Sequence, residues 1–347
     1  MGHDRHVAGP GSHVSIAFCA IALLSTALVA AQPETSGELI ISGAHKITDA
    51  PTRVAAAAGY FDADTGPAIR VELADSGKQS LARLMAGDAD FALMAAVPLA
   101  MTLTRLHHDR APPETWPVVF ASIGLSSRNY HVIADAARGI EHPADLAGHA
   151  LGLTFDTSAH FAWEHFADLY GIGADAARLV DTQPRELAGG LAAGRFDAVL
   201  AWTPFSEQIV DQLGASARSF PLQAMDSMTW LLVARRGFIA REPQAVERVL
   251  RGYAEAIDLL QRQPERAAAL LDLPPDWLQK KSLAWKLALN WPVIAHMEAK
   301  LEWSAKRLGV SPLRVSPRIY IERGPMERFR PGAVSLPIWI ERKQAEQ

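Results

Sequence analysis

From Glu38 onward the chain alternates short, unbroken apolar runs with longer stretches in which apolar residues recur at helical spacing. Glu38-Leu39-Ile40-Ile41-Ser42, Ala68–Ala74, Phe91–Ala95 and Trp116–Ser122 have the length and composition of buried strands. Helices are predicted from about Pro51 to Phe61, where proline suits a first turn, and from the cap-type residues Asp75-Ser76-Gly77 to Met85. A second series follows: strands at Tyr130–Ala134, Leu151–Phe155 and Leu179–Asp181, a short helix over His142–Gly148, and helices over about Ser158–Tyr170 and Pro184–Ala193. Thr229–Ala234 reads as a further strand and Pro243–Gln263 as a long helix. The remainder reads as largely helical to about Leu308, then as an extended, proline-punctuated tail from Pro317. Such βαβα alternation predicts an α/β protein with mostly parallel sheets and helices on both faces.

One segment occurs twice. Leu84-Met85-Ala86-Gly87-Asp88-Ala89-Asp90-Phe91-Ala92-Leu93-Met94 is echoed by Leu191-Ala192-Ala193-Gly194-Arg195-Phe196-Asp197-Ala198-Val199-Leu200-Ala201. In each copy a helix-like apolar face meets a glycine, which can close a helix in the left-handed conformation, and then an aspartate and a short apolar strand. The copies stand much further apart than the roughly 20–50 residues of a solenoid repeat. Two similar α/β lobes are therefore expected, with crossovers near Tyr130 and Trp230: residues 38–128 and 230–316 in a first lobe, 129–229 in a second, and 317–347 as the tail. The aspartates read as shaping the helix-to-strand turn rather than as an acid–base pair.

Composition narrows the picture. The 347 residues exceed one average domain, and 49% hydrophobic with 21% charged residues is the balance of a globular protein with a real core. A net charge of −4 without any Lys/Arg run gives no reason to expect nucleic acid. Ile16 to Ala31 is apolar and ends in small residues, short for a membrane span; residues 1–31 read as an export signal, with an uncleaved anchor as the rival. The lone cysteine, Cys19, lies inside that segment, so the mature chain would carry no thiol and no disulfide. No His-Glu-x-x-His, Gly-x-Ser-x-Gly or Gly-x-x-x-x-Gly-Lys-Ser/Thr pattern occurs, and no cofactor or metal is expected.

Four stretches in order carry a resemblance: Gly87-Asp88-Ala89-Asp90-Phe91-Ala92 with Pro98; Asp145-Leu146-Ala147-Gly148-His149-Ala150-Leu151-Gly152-Leu153 running into Thr157-Ser158-Ala159-His160; Leu191 to Pro204 with Trp202-Thr203-Pro204; and Ile319-Tyr320-Ile321-Glu322 with Arg330-Pro331-Gly332-Ala333-Val334. In these the chain resembles the solute-binding proteins of ABC importers of the nitrate/sulfonate/taurine/thiamine-precursor type. The resemblance implies the type II periplasmic-binding-protein fold, in which two α/β lobes are joined by two crossover strands around a ligand cleft. It also implies delivery of a solute from the periplasm to a membrane permease by a protein expected to be monomeric. The cysteine-rich motif of pyrimidine-synthesising relatives is absent.

Open α/β sheets bind ligands beyond the carboxyl ends of their strands, which selects the candidate contacts. In the first lobe these are Asp49 after the first strand, Ser76 and Gly77 after the second, and Ala96 after the motif strand. In the second lobe they are Asp156, Thr157 and Ser158 at a strand-to-helix junction, and Trp202 at the end of the repeated strand. Asp226, with Tyr130 and Trp230, flanks the crossovers. Helix starts favour anions, and an indole offers an apolar wall and a cation–π face; capping and core packing are the plain alternatives. The family usually places glycine where this chain has Asp156, and a carboxylate there would repel an anion. That residue, with Trp202, points to an amine, zwitterion or heteroaromatic solute, with sulfonate as the less favoured choice. The competing function is a secreted enzyme on the same two-lobed scaffold, acting on a small heteroaromatic or amine.

Overall fold

The apolar runs pair into two separate sheets. The computed structural model describes residues 37–62, 66–127, 130–173, 175–222, 228–276 and 283–336; the expected export signal, Cys19 and Asp226 lie outside them. The elements of the first half are β1 (Leu39–Ala44), α1 (Ala50–Ala57), β2 (Ile69–Ala74), α2 (Gly77–Ala86), β3 (Phe91–Ala95), α3 (Ala96–His108) and β4 (Pro117–Ser126). The middle comprises β5 (Tyr130–Asp135), β6 (Ala150–Leu153), α4 (Ser158–Leu169), β7 (Arg178–Asp181), α5 (Leu187–Ala192), β8 (Ala198–Trp202), α6 (Phe205–Leu213) and β9 (Ala217–Pro221). The last part holds β10 (Met228–Arg235), α7 (Arg236–Arg241), α8 (Pro243–Arg262), α9 (Pro264–Leu270), β11 (Leu283–Asn290), α10 (Trp291–Leu308), α11 (Gly324–Phe329) and β12 (Val334–Ser335).

The first sheet runs β12-β11-β4-β10-β3-β1-β2 and the second β7-β6-β8-β5-β9. Within each, the strands of the βαβ units are parallel (β1 with β2 and β3, β6 with β7 and β8), while β10 lies antiparallel to β3 and β4, and β5 to β8 and β9. The chain passes from one sheet to the other between β4 and β5 and returns between β9 and β10. Each sheet with its helices forms one lobe. Among the described residues no helix is long and apolar enough to cross a membrane.

The repeat has a shared physical cause. Gly87 and Gly194 close their helices with φ of 88° and 73°, conformations that side chains resist. Asp90 then accepts from the Ile40 amide at 2.9 Å, and Asp197 from the Ala150 amide at 3.0 Å, so each aspartate ties the start of its own strand to the parallel neighbour, β1 for β3 and β6 for β8. For Asp197, burial acts to raise the pKa but is outweighed by hydrogen bonds from Ala150, His149 and Arg138, leaving it below the usual carboxylate value. Its stabilising effect is therefore complete above the unfolded-state pKa and lost as pH falls through the folded-state value. Replacing Asp197 by alanine strands the Ala150 amide and is expected to cost about 1–3 kcal/mol, read as a lower urea midpoint at neutral pH, with the gap from wild type narrowing in acid.

Several elements differ from the sequence expectation, among them α6 and β9, to which the sequence pattern assigns no element. Ala96–His108, given no element, is a helix whose Pro98 lies in the first turn, where a missing N–H is harmless. Leu283–Asn290, expected to be helical, is a strand because β4 offers it a pairing edge. The tail is not wholly extended: Gly324–Phe329 forms a helix, and the bridge between Val119 and Ile321 holds the preceding segment against β4.

Candidate functional site

The carboxyl ends of β1, β2 and β3 face those of β6 and β8, and a small pocket lies where they meet. It is lined by Lys46, Ser76, Gly77, Ala95, Pro98, Tyr130, Thr157, Ser158, Trp202 and Trp230, and retains about 10 Å³ of free space. That is room for about one water molecule. A solute can enter only if Lys46 swings aside or the lobes part.

Lys46 fills the centre. Its Nζ stands 4.5 Å from the Trp202 ring centroid, 4.8 Å from that of Tyr130 and 5.4 Å from that of Trp230, and it donates to Tyr130 Oη at 3.0 Å. Residues from both lobes thus form an aromatic cage around one amine. Burial pushes the Lys46 pKa well below its usual value, and among the described residues no carboxylate pairs with it. The Trp202 indole N–H is also buried without a hydrogen-bond partner. First-turn amides of α2 and α4 border the same space, at helix ends that carry partial positive charge. The pocket is rich in donors, and no carboxylate is among its lining residues.

Several expected contacts gather here. Ser76, Gly77, Thr157, Ser158 and Trp202 line the pocket, as do Tyr130 and Trp230. The hydroxyls of Ser76 and Thr157 also cap their own helices, accepting from the amides of Gln79 and Ala159. Gly77 has a packing reason as well, since a Cβ there would come 2.7 Å from the Met94 Cα. Ala96 is buried beside the pocket without lining it; its neighbour Ala95 takes that place.

Asp49 and Asp156, also expected as contacts, do not line this pocket. Asp49 is fully buried and accepts from the Ala44 amide, the Thr52 hydroxyl and, at 3.0 Å, Trp230 Nε1. It braces the turn after β1 and fixes the indole that walls the cage. Burial lifts its pKa to about 7 against the lowering effect of these hydrogen bonds.

Asp156 has φ of 59°, which explains why glycine suits this place and which turns its carboxylate toward the first lobe. There it pairs with Arg105 at 2.9 Å and Lys78 at 3.9 Å. Its charge is thus met by two cations and is no argument against an anionic solute. Asp156→Gly would relieve the backbone and lose exposed ion pairs, each effect being worth about 1 kcal/mol or less. Net stability is therefore expected to change by under ~1 kcal/mol in urea unfolding. A larger loss would show that the ion pairs dominate.

Other bonds cross between the lobes around the pocket. Lys78 Nζ donates to the Phe155 carbonyl at 3.0 Å, Gln79 to Gln183 at 3.2 Å, and Arg185 pairs with Asp75. His160, buried, stacks on Phe155 with centroids 4.4 Å apart and meets the edge of Trp303 at 5.4 Å. Burial, aided by Arg307, pushes its pKa down to about 4, so it is a neutral packing residue near pH 7. Lys46 is the residue sequence reading missed: a single lysine in a turn says nothing of rings that stand far along the chain.

Two α/β lobes meeting at the carboxyl ends of their strands around a donor-rich pocket form the architecture of the periplasmic binding proteins. The chain belongs to the NMT1/THI5-like family, which it matches over residues 47–267. Among curated relatives it is similar to a binding protein of Brucella abortus, 27% identical over 156 residues, covering 43% of this chain and 46% of that protein. The chain thus spans about half the length of that relative. It is also similar to the taurine-binding periplasmic protein of Escherichia coli, 21% identical over 241 residues, covering 67% of this chain and 72% of that protein.

Among solved structures, the alkanesulfonate-binding protein SsuA of Xanthomonas axonopodis pv. citri, bound to MOPS, matches with a TM-score of 0.69 and 17% identity, covering 84% of this chain and all of that one. The desulfurization enzyme DSZB has the same fold at a TM-score of 0.57 and 16% identity, covering 84% of this chain and 98% of its own. Fold alone therefore does not separate receptor from enzyme.

Proposed function

We propose that the protein is a periplasmic solute receptor that captures a small organic anion, a sulfonate or carboxylate, between its lobes and presents it to an ABC permease. One observation carries this reading: a buried amine without a counter-ion, set among aromatic rings and two helix starts. An anionic head entering there would supply the missing charge, accept from Lys46, the Trp202 N–H and first-turn amides, and lay its organic part against the rings. The taurine- and alkanesulfonate-binding relatives support that choice. An ammonium would set like charge against Lys46, and a neutral heteroaromatic would supply no counter-charge, which displaces the preference drawn from Asp156. The protein would act as a monomer, closing on its solute.

A thermal-shift series of linear alkanesulfonates and carboxylates against matched amines tests the reading. Anions are expected to raise Tm in a concentration-dependent way and amines to leave it unchanged; stabilisation by amines alone would overturn the anion assignment. The secreted-enzyme reading has the DSZB fold in its favour. Chromatography of a stabilising solute after prolonged incubation separates the two, because a receptor returns it intact and an enzyme yields product.

A further inference from the structure

Away from the cleft, α10 and the segment before Tyr320 border a half-open cavity of about 460 Å³, lined by Glu298, Leu301, Glu302, Leu313, Arg314 and Tyr320. None of its residues lines the cleft pocket. The volume is in the range of small-molecule sites. Leu301 and Leu313 are buried and give it an apolar wall. Glu298 and Glu302 stand exposed one helical turn apart on α10, a like-charge spacing that weakens a helix unless something neutralises it. No ion pair to either is formed among the described residues.

Tyr320 supplies an independent sign. It is 1% exposed, and its hydroxyl is buried without a hydrogen-bond partner. Burial, reinforced by the negative charge of Glu298, pushes the phenol pKa well up and keeps the hydroxyl protonated. The cavity thus joins a buried polar group with unmet demand to two carboxylates against one guanidinium, Arg314, whereas the cleft lining holds an amine and no carboxylate.

We infer that this cavity is a second ligand site, for an amphipathic organic cation: a primary ammonium set between Glu298 and Glu302, its apolar body on Leu301 and Leu313, within reach of the Tyr320 hydroxyl. Such an ammonium can come from a free amine or from a lysine side chain of a partner protein. The same helix bears Lys300, Trp303 and Arg307 toward the second lobe; Lys300 Nζ is 3.8 Å from the Phe161 ring centroid and the Arg307 guanidinium 5.7 Å from that of Phe155. The site therefore lies on a helix that meets both lobes.

Calorimetry on the full chain with 2-phenylethylamine, its anionic counterpart 3-phenylpropionate and N-acetyl-lysine methylamide tests the inference, with the cleft saturated by whichever sulfonate gives the largest thermal shift. If no sulfonate does, the titration is run without one. 2-Phenylethylamine is expected to bind one-to-one, 3-phenylpropionate not at all. E298Q/E302Q is expected to weaken the amine about tenfold while retaining any sulfonate response, and Tyr320→Phe to weaken it by a smaller factor. Tighter binding of the lysine derivative assigns the source to a partner protein, and weaker binding to a free amine. No binding by any amine at millimolar concentration, equal binding of the anion, or full affinity in E298Q/E302Q would overturn the site whatever the cleft binds.

Discussion

Lys46→Met is expected to abolish stabilisation by organic anions while leaving the unliganded protein at least as stable as wild type. The two effects have opposite signs for one reason. In the free protein the Lys46 amine is taken from water without a carboxylate partner, and its contacts with three rings only partly offset that cost. Methionine keeps the length and the ring contacts without the charge, so unfolding free energy is expected to rise by on the order of 1 kcal/mol. In the complex the same amine is the counter-charge. Losing one partner of a buried charge pair costs about 2–5 kcal/mol, so anion affinity is expected to fall at least ~30-fold by calorimetry. A variant that unfolds more easily yet binds anions as before would show that Lys46 is a structural cation.

Asp49→Ala is expected to cause the larger stability loss, about 3 kcal/mol or more, because it strands the buried Ala44 amide and Trp230 indole N–H together and leaves the Thr52 hydroxyl with Tyr253 as its remaining partner. Urea unfolding followed by tryptophan fluorescence measures it. Asp49 also sets a pH dependence. Its folded-state pKa of about 7 lies above the unfolded value of 3.8, so between these the native state holds the extra proton. Stability from this group then falls as pH rises across that window, by at most about 1.4 kcal/mol per pH unit. Asp49→Asn, which cannot ionise, is expected to flatten that part of the profile. An unchanged slope would mean that Asp49 does not titrate there.

The sequence carried the lobes well because their signals are local. A left-handed glycine, an aspartate bonding back to the neighbouring strand and an unbroken apolar strand lie within a few residues of one another, as at Gly87–Phe91 and Gly194–Ala198. Helix starts were equally visible, since Ser76 and Thr157 announce themselves by side-chain chemistry. The failures share a different cause. Leu283–Asn290 has helix-forming composition and becomes a strand only because β4 is there to pair with it. Asp156 keeps its expected place in the chain, but a positive φ redirects its carboxylate to Arg105. Lys46 acquires meaning only from Tyr130, Trp202 and Trp230, which folding brings to it from both lobes.

A crystal structure of the protein with a stabilising organic sulfonate or carboxylate tests the central claim most directly. The account predicts the anionic head between the lobes, with an oxygen within hydrogen-bond distance of Lys46 Nζ and of an amide in the first turn of α2 or α4. A solute seated elsewhere, with Lys46 still packed among its three rings, would contradict it.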